Sequence, residues 1–403
     1  MLDLTDIPQT TRETIEEIGA ADLVIGILAP FTPDTLEAAV TGISRSVGRL
    51  YMPVRTLVLH GADQLVPVRD DVRVVSVPFL RQDLSADPAH AISDAFHNLF
   101  AVAQSLHGRA VCAIVSDLEN VDSQWFYSLI RPVIELDFDL VVPCYSHGKF
   151  NGLLNSGIVS PFTRALYGKQ LQHPLGPDFA FSGKFVSHLL SKNIKSRNGA
   201  HTRSLASIAV DAACDGFEIC QAAVGQRRYP PTDWMNQSSV LTQILSPVFH
   251  EAEIHAQGWQ RMRGSQRVPT FGEVSLHNND DATDVRRMID SFQLGYRNLQ
   301  EIWSIVLPPG TLLELSKLAR LAPEQFRMPD RLWARIIYDF AVGYRLRTIS
   351  QDHLLRAMTP LYLAWVASYV LDPSDRLDQL ALAFETAKPY IVSRWRWPDR
   401  FNP

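Results

Sequence analysis

In this 403-residue chain, Ser116-Asp117-Leu118-Glu119 places two carboxylates directly after the apolar, strand-like run 111–115. Carboxylates at a strand end are hard oxygen ligands, suited to a divalent cation. A second resource is Arg227-Arg228, whose planar guanidinium groups match phosphate geometry and stay charged. On an exposed loop the same pair also reads as ordinary solvated charge. Between them, Tyr145-Ser146-His147-Gly148-Lys149-Phe150-Asn151-Gly152 gathers polar groups, with Lys149 able to attract an anion as a point charge. Other chemistries lack their motifs: the sequence has no Gly-x-x-x-x-Gly-Lys loop, no dinucleotide fingerprint and no His-Glu-x-x-His pair, and Ser182 lacks a nucleophile elbow. The histidines are scattered, with His147 and His90 on loops expected near the sheet's carboxyl edge.

These residues need a scaffold, and residues 20–145 supply the pattern of one. Short β-rich runs at 22–28, 56–60, 72–77, 111–115 and 140–144 alternate with helical stripes, one through Leu36, Val40, Ile43 and Val47, another through Ile92, Phe96, Leu99, Ala103 and Leu106. Such alternation predicts a mainly parallel α/β sheet. A helix at 205–214 leads to a late strand at 216–220. After Tyr229-Pro230-Pro231 the character changes to long amphipathic helices, broken around 275–285 and at Pro308-Pro309-Gly310. The natural partition is an α/β domain over 1–232 and a helical domain over 233–403.

Composition narrows the function classes. With 46% hydrophobic and 20% charged residues the chain can bury a large core, and a net charge of −5 gives no general reason to expect nucleic acid or an anionic membrane as partner. Residues 1–20 lack an apolar signal core and 361–371 is too short to span a bilayer, so a cytoplasmic protein without a membrane span is the expectation. A homo-oligomer is compatible with this composition. Cys112, Cys144, Cys214 and Cys220 lie in apolar segments without zinc or CxxC spacing and read as buried thiols. The terminal Trp395-Arg396-Trp397-Pro398 reads as aromatics docking on the helical domain, with a sugar-stacking platform as the alternative.

Along nearly its whole length the chain resembles the bacterial glucosylglycerate, mannosylglycerate and glucosyl-3-phosphoglycerate synthases, retaining glycosyltransferases of the GT-A class. The resemblance runs through Asp22-Leu-Val-Ile-Gly-Ile, Trp125, Pro132-Val133, Asp139-Leu-Val-Val-Pro-Cys-Tyr145, Pro161-Phe-Thr-Arg-Ala-Leu-Tyr-Gly168 and Pro174-Leu-Gly-Pro-Asp-Phe179, then Leu332–Phe340 and Lys388–Trp395. It implies a GT-A-like, Rossmann-like domain with a mainly parallel twisted sheet, followed by an all-helical C-terminal domain. It implies hexosyl transfer from a nucleotide-diphosphate sugar to a small polar acceptor related to glycerate. Donor contacts then fall on Leu28, Pro30, Asp63, Asp117, Pro174, Leu175 and Gly176, and acceptor contacts on Tyr145, His147, Lys149, Asn151 and Asn155.

Each family motif departs here. Counting back from Trp125 sets Asp117 on the second aspartate of an Asp-x-Asp and Val115 on the first, so Mg²⁺ or Mn²⁺ would rest on Asp117 and Glu119. The metal histidine is replaced by Tyr229, with Arg227 and Arg228 beside it as substitute charge at the catalytic position together with Asp117. The phosphate loop is replaced by Asp87-Pro88-Ala89-His90, and proline lacks an amide to donate. Asp63 reads equally as a ribose contact or a turn cap. His147 stands where a carboxylate-clamping arginine belongs, and Asn151 where an aspartate does, which fits an uncharged or differently shaped acceptor. Two readings follow: a hexosyltransferase with an altered donor site, or a catalytically silent homologue acting as sugar-nucleotide sensor or partner subunit. A structural oligomerisation protein is a third.

Overall fold

The computed structural model describes residues 9–28, 31–61, 72–76, 88–192, 204–227, 232–274, 276–277, 284–373 and 376–398. In chain order its elements are α1 (Gln9–Ile18), β1 (Leu23–Ile27), α2 (Pro33–Val47), β2 (Thr56–His60), β3 (Val72–Ser76), α3 (Pro88–Ser105), β4 (Ala110–Ile114), α4 (Ser123–Leu136) and β5 (Leu140–Gly148). Then come α5 (Ser160–Tyr167), β6 (Lys169–Gln170), β7 (Phe179–Ser182), α6 (Gly183–Lys192), α7 (Leu205–Cys214), β8 (Ile219–Gln226), α8 (Ser238–Ile254), α9 (Ala256–Trp259), β9 (Gln266–Arg267), β10 (Thr270–Phe271) and β11 (Leu276–His277). The chain ends in α10 (Val285–Asn298), α11 (Gln300–Val306), α12 (Pro309–Leu318), α13 (Asp330–Leu346), α14 (Gln351–Ala357), α15 (Thr359–Leu371) and α16 (Arg376–Arg396).

Two compact units result. The first comprises Met1–Ser146, His173–Arg227 and Val268–Ser275, the second His147–Gln172, Arg228–Arg267 and Leu276–Pro403. Both are discontinuous in sequence: residues 147–172 belong to the helical unit although they precede the 232/233 division, and residues 268–275 belong to the sheet unit although they follow it.

The sheet unit is built on the order β10-β8-β5-β7-β4-β1-β2-β3, with every pairing parallel except those of β7, which is antiparallel to both β4 and β5. This is the mainly parallel sheet expected from the sequence. β1, β2 and β4 are buried along their whole length, which is why they read as continuous apolar runs rather than alternating ones. Gly26 admits α3 to the sheet: a Cβ there would lie 2.6 Å from Leu99 Cδ2. α2 starts on a reciprocal capping box between Thr32 and Thr35, and α4 on Asp122, whose side chain accepts the Trp125 amide at 2.8 Å. Ser46 Oγ then donates to the Ser123 carbonyl at 2.6 Å, joining the two helices beside the exit of β4.

Several strands differ from the sequence expectation, among them the two-residue strands β6, β9, β10 and β11, which were not anticipated and of which the last three interrupt the stretch 233–403 expected to be all-helical. The fifth continues past residue 144 to Gly148. The late strand begins at Ile219, not 216, because Gly216 adopts φ +77° in the turn after α7, and it runs on to Gln226. β7 went unanticipated, since its Phe-Ala-Phe-Ser is too short for a periodicity argument.

The helical unit packs Trp259, Trp303, Trp333, Trp365, Tyr338 and Tyr362 fully inside. At the C-terminus Trp395 is buried with its ring 5.2 Å from that of Trp259, edge to face, as expected of a docking aromatic, while Trp397 stays half exposed. Among the described residues one stretch, Gln351–Leu371, is long and apolar enough by composition to cross a membrane, and 72% of that window is buried inside the protein. α14 and α15 within it therefore serve as core helices.

The same unit buries one carboxylate whose ionisation is linked to folding. Asp339 on α13 accepts from Arg394 Nε at 3.0 Å and from the Tyr390 hydroxyl at 2.7 Å, both on Oδ1, while Oδ2 is buried without a hydrogen-bond partner. Burial outweighs the attraction of Arg394 and pushes the Asp339 carboxyl up to about 7. In the unfolded chain it ionises near 4. Between those values the folded state holds more protons, so this group's contribution is full below about pH 4 and is lost as pH rises through 7. Urea midpoints of Asp339→Asn should lack that fall between pH 4 and 7; an unchanged slope would remove Asp339 as its source.

Candidate functional site

Because β7 runs antiparallel, its first residue lies at the carboxyl ends of its neighbours: Phe179 pairs with Ala113 of β4. Asp178, one residue earlier, is thereby delivered to the exit of β4, fully buried. Its Oδ1 accepts the amides of Val115 and Ser116, each at 2.8 Å, and its Oδ2 accepts the hydroxyls of Ser116, in a very close contact, and of Tyr145, at 2.5 Å. Four donors thus converge on one carboxylate, which tightens the ends of β4, β5 and β7 into one knot.

Tyr145 is the second centre of this edge. Burial, together with the negative charge of Asp178, raises its phenol well above the usual value despite the opposing pull of Arg227, so the hydroxyl stays protonated and donates. The Arg227 guanidinium lies over the Tyr145 ring, 5.0 Å from its centroid, and the His173 ring meets it edge-on at 5.5 Å. β8 is parallel to β5, so its exit falls at the same edge, and the Arg227 amide donates to the Ser146 carbonyl at 2.9 Å. The turn at Pro174-Leu175-Gly176 closes with the Gly176 amide on the His173 carbonyl at 2.8 Å, and glycine is required because a Cβ would lie 2.5 Å from Pro143 Cγ. Leu28 is buried beside this edge, its amide bonded to the Ile114 carbonyl at 2.8 Å. Among the expected residues of the sheet unit, then, Tyr145 and Arg227 meet in one cluster.

Asp117 and Glu119 lie on the exposed side. Asp117 caps the short 3₁₀ turn Leu118–Asn120, its Oδ1 accepting the Glu119 amide at 3.0 Å. Val115 offers only hydrocarbon, and the described residues contain no group of three or more His, Cys, Asp or Glu able to hold a metal ion. Among the described residues, Asp117 and Glu119 alone do not supply the set of about six oxygens that Mg²⁺ or Mn²⁺ wants.

The expected acceptor residues beyond Tyr145 belong to the helical unit. His147 is not on a loop: it ends β5, is buried, and has Nδ1 2.8 Å from the Gly148 carbonyl, while β11 pairs alongside. Lys149 and Asn151 form the turn that follows, the Asn151 amide closing on the Gly148 carbonyl at 3.0 Å. Asn155 begins a π-helical turn, Asn155–Val159, and its side chain donates to the Gln172 carbonyl at 2.7 Å. Pro30, Asp63 and Arg228 lie outside the described residues, as does the side chain of His90. Cys112, Cys144 and Cys220 are buried thiols kept protonated, burial pushing Cys144 up to about 12 and Cys112 and Cys220 higher, whereas Cys214, expected to be buried too, is only partly so.

Sequence reasoning missed Ser116, His173 and the buried role of Asp178. Ser116 follows β4 directly, but only the antiparallel course of β7 brings Asp178 to that exit, and the four-residue strand carries a faint signal of it.

No family model and no curated protein sequence matches this chain. Among solved structures it is similar to glucosyl-3-phosphoglycerate synthase from Mycobacterium tuberculosis in complex with phosphoglyceric acid, at 18% identity and a TM-score of 0.38, covering 59% of this chain and 84% of that one. It is likewise similar to the same synthase in complex with Mn²⁺, UDP-glucose and phosphoglyceric acid, at 19% identity and a TM-score of 0.36, covering 58% of this chain and 83% of that one.

Proposed function

We propose that this protein binds a nucleotide-diphosphate sugar at the carboxyl edge of its sheet and transfers the hexose, with retention, to a small polar acceptor related to glycerate. The observation that carries this reading is the guanidinium of Arg227 lying over the Tyr145 ring, 5.0 Å from its centroid, at the edge where β4, β5 and β8 end. Glycosyl transfer breaks the bond between the anomeric carbon and the phosphate oxygen, and the electron pair leaves with the diphosphate. The acceptor hydroxyl forms the new bond on the same face and its proton passes to the departing phosphate oxygen. Negative charge therefore grows on the diphosphate, and a fixed cation aimed there lowers the barrier. Asp117, at the exit of β4, is placed beside the diphosphate in this reading.

Calorimetry with UDP-, GDP- and ADP-glucose, with and without Mn²⁺, tests it. Binding that does not need the metal is the expected result, and Arg227→Ala combined with Arg228→Ala should abolish turnover while the far-ultraviolet spectrum stays unchanged. Undiminished turnover in that variant removes the arginine mechanism. A catalytically silent homologue is the second reading, favoured by the use of Asp117 as a turn cap. It takes over if the protein binds a nucleotide sugar yet turns none over.

A further inference from the structure

We infer that the helical unit docks on the surface of an anionic membrane through a cationic strip formed by Arg261, Arg263, Arg267, Lys169 and Arg396. Met262 and Trp397 are its apolar contacts, and nothing in it depends on what the sheet unit binds.

Three stretches distant in sequence form the strip. α9 ends at Trp259, whose ring meets that of Trp395 on α16 edge to face at 5.2 Å. That contact sets the last turn of α16 beside the turn that follows α9, where Arg396 Nε donates to Gln260 Oε1 at 2.8 Å. Arg261, Met262 and Arg263 come next, all exposed. Met262 lies against Gly168, where an added Cβ would be 3.0 Å from its Cγ, and Lys169 follows directly. The parallel pairing of β6 with β9 then puts Lys169 opposite Gln266 and Gln170 opposite Arg267.

Residues 164–172, 254–267 and 386–398 contain no aspartate or glutamate, so the net charge of −5 comes from elsewhere in the chain. Among the described residues no carboxylate pairs with Arg261, Arg263, Arg267 or Lys169, and the two that border these stretches are engaged elsewhere. Glu253 accepts Arg347 at 3.0 Å, and Glu385 accepts Arg164 Nε at 2.7 Å and the Ser265 hydroxyl in a very close contact. Uncompensated cations are drawn to an anionic lipid face, each worth about fivefold in affinity when held there. The apolar groups select lipid over nucleic acid: Met262 is 37% exposed and Trp397 51%. An indole is suited to the headgroup level of a bilayer, and a thioether inserts among acyl chains but offers no face on which a base can stack. Arginine stems cover apolar surface while their guanidinium groups reach phosphate.

The test is co-sedimentation of the full chain with vesicles of phosphatidylcholine alone and of phosphatidylcholine mixed with phosphatidylglycerol, at low and high salt. Binding to the mixed vesicles only, falling with salt, is the expected result. Arg261→Ala combined with Arg263→Ala should weaken it by about twentyfold. Both side chains are exposed, so the far-ultraviolet spectrum should stay unchanged. Phospholipids brominated on the acyl chain should quench tryptophan fluorescence of the bound protein. Trp397→Phe should abolish most of that quenching, because Trp259, Trp303, Trp333 and Trp365 are fully buried. Absence of binding to mixed vesicles overturns the inference, as does full binding by the double variant. Capture of a single-stranded oligonucleotide without vesicle binding overturns it in favour of a nucleic-acid surface. Quenching left undiminished in Trp397→Phe overturns the assignment of this face as the one that docks.

Discussion

Asp178→Ala should cost the sheet unit about 3–5 kcal/mol of stability, read as a lowered urea midpoint with an unchanged slope. The substitution strands two amides and two hydroxyls that now converge on one fully buried carboxylate. An unsatisfied buried donor costs about 1–3 kcal/mol, and the hydroxyls of Ser116 and Tyr145 can rotate to find other partners where the two amides cannot. Asp178→Asn separates these contributions. Its Oδ1 can still accept both amides, and its NH₂ can donate to a hydroxyl that turns to accept, so the loss should be about 1–2 kcal/mol. Equal losses in the two variants would mean that charge, not hydrogen bonding, sets the worth of Asp178. A loss below about 1 kcal/mol in Asp178→Ala would mean that water enters and replaces the carboxylate.

The same residue explains what could be read along the chain and what could not. β1, β2 and β4 announce themselves because a strand buried on both faces must be apolar throughout, and the helical stripes at Leu36 and Leu99 follow from packing on those faces. Local rules suffice for them. The site does not follow from local rules: Asp178 lies 63 residues along the chain from Val115, and they meet because a four-residue strand reverses direction inside a parallel sheet. No periodicity in Phe-Ala-Phe-Ser encodes that reversal. His147 shows the complementary difficulty. Motif position placed it among ligand-facing groups, but the strand continues through it and pairing with β11 encloses it, which is a tertiary outcome. Arg227 was legible for its chemistry alone; its aromatic partner depended on β8 lying beside β5.

In the helical unit, Gly157→Ala should cost about 3 kcal/mol, at the upper end of what one added methyl does to a packed interior. A Cβ on Gly157 would overlap the Trp365 indole, lying 2.9 Å from Cζ2 and closer still to two other ring atoms. Relief would require the ring or the backbone to move, and both are pinned. Trp365 is fully buried and stacks on Trp333 at 5.8 Å, Tyr362 at 6.2 Å and Tyr369 at 5.6 Å, so sliding it displaces three further aromatic rings. Gly157 lies within the π-helical turn Asn155–Val159, where its carbonyl accepts Trp333 Nε1–H at 2.9 Å, which fixes the backbone from the same side. Trp365→Phe removes part of the obstructing ring and on its own should cost about 1–2 kcal/mol for the space it leaves. Combined with Gly157→Ala, the added methyl occupies part of that space, so the double variant should be more stable than the sum of the two losses predicts by at least about 1 kcal/mol. Strict additivity in that cycle would show that the cost of Gly157→Ala does not come from the approach of the indole.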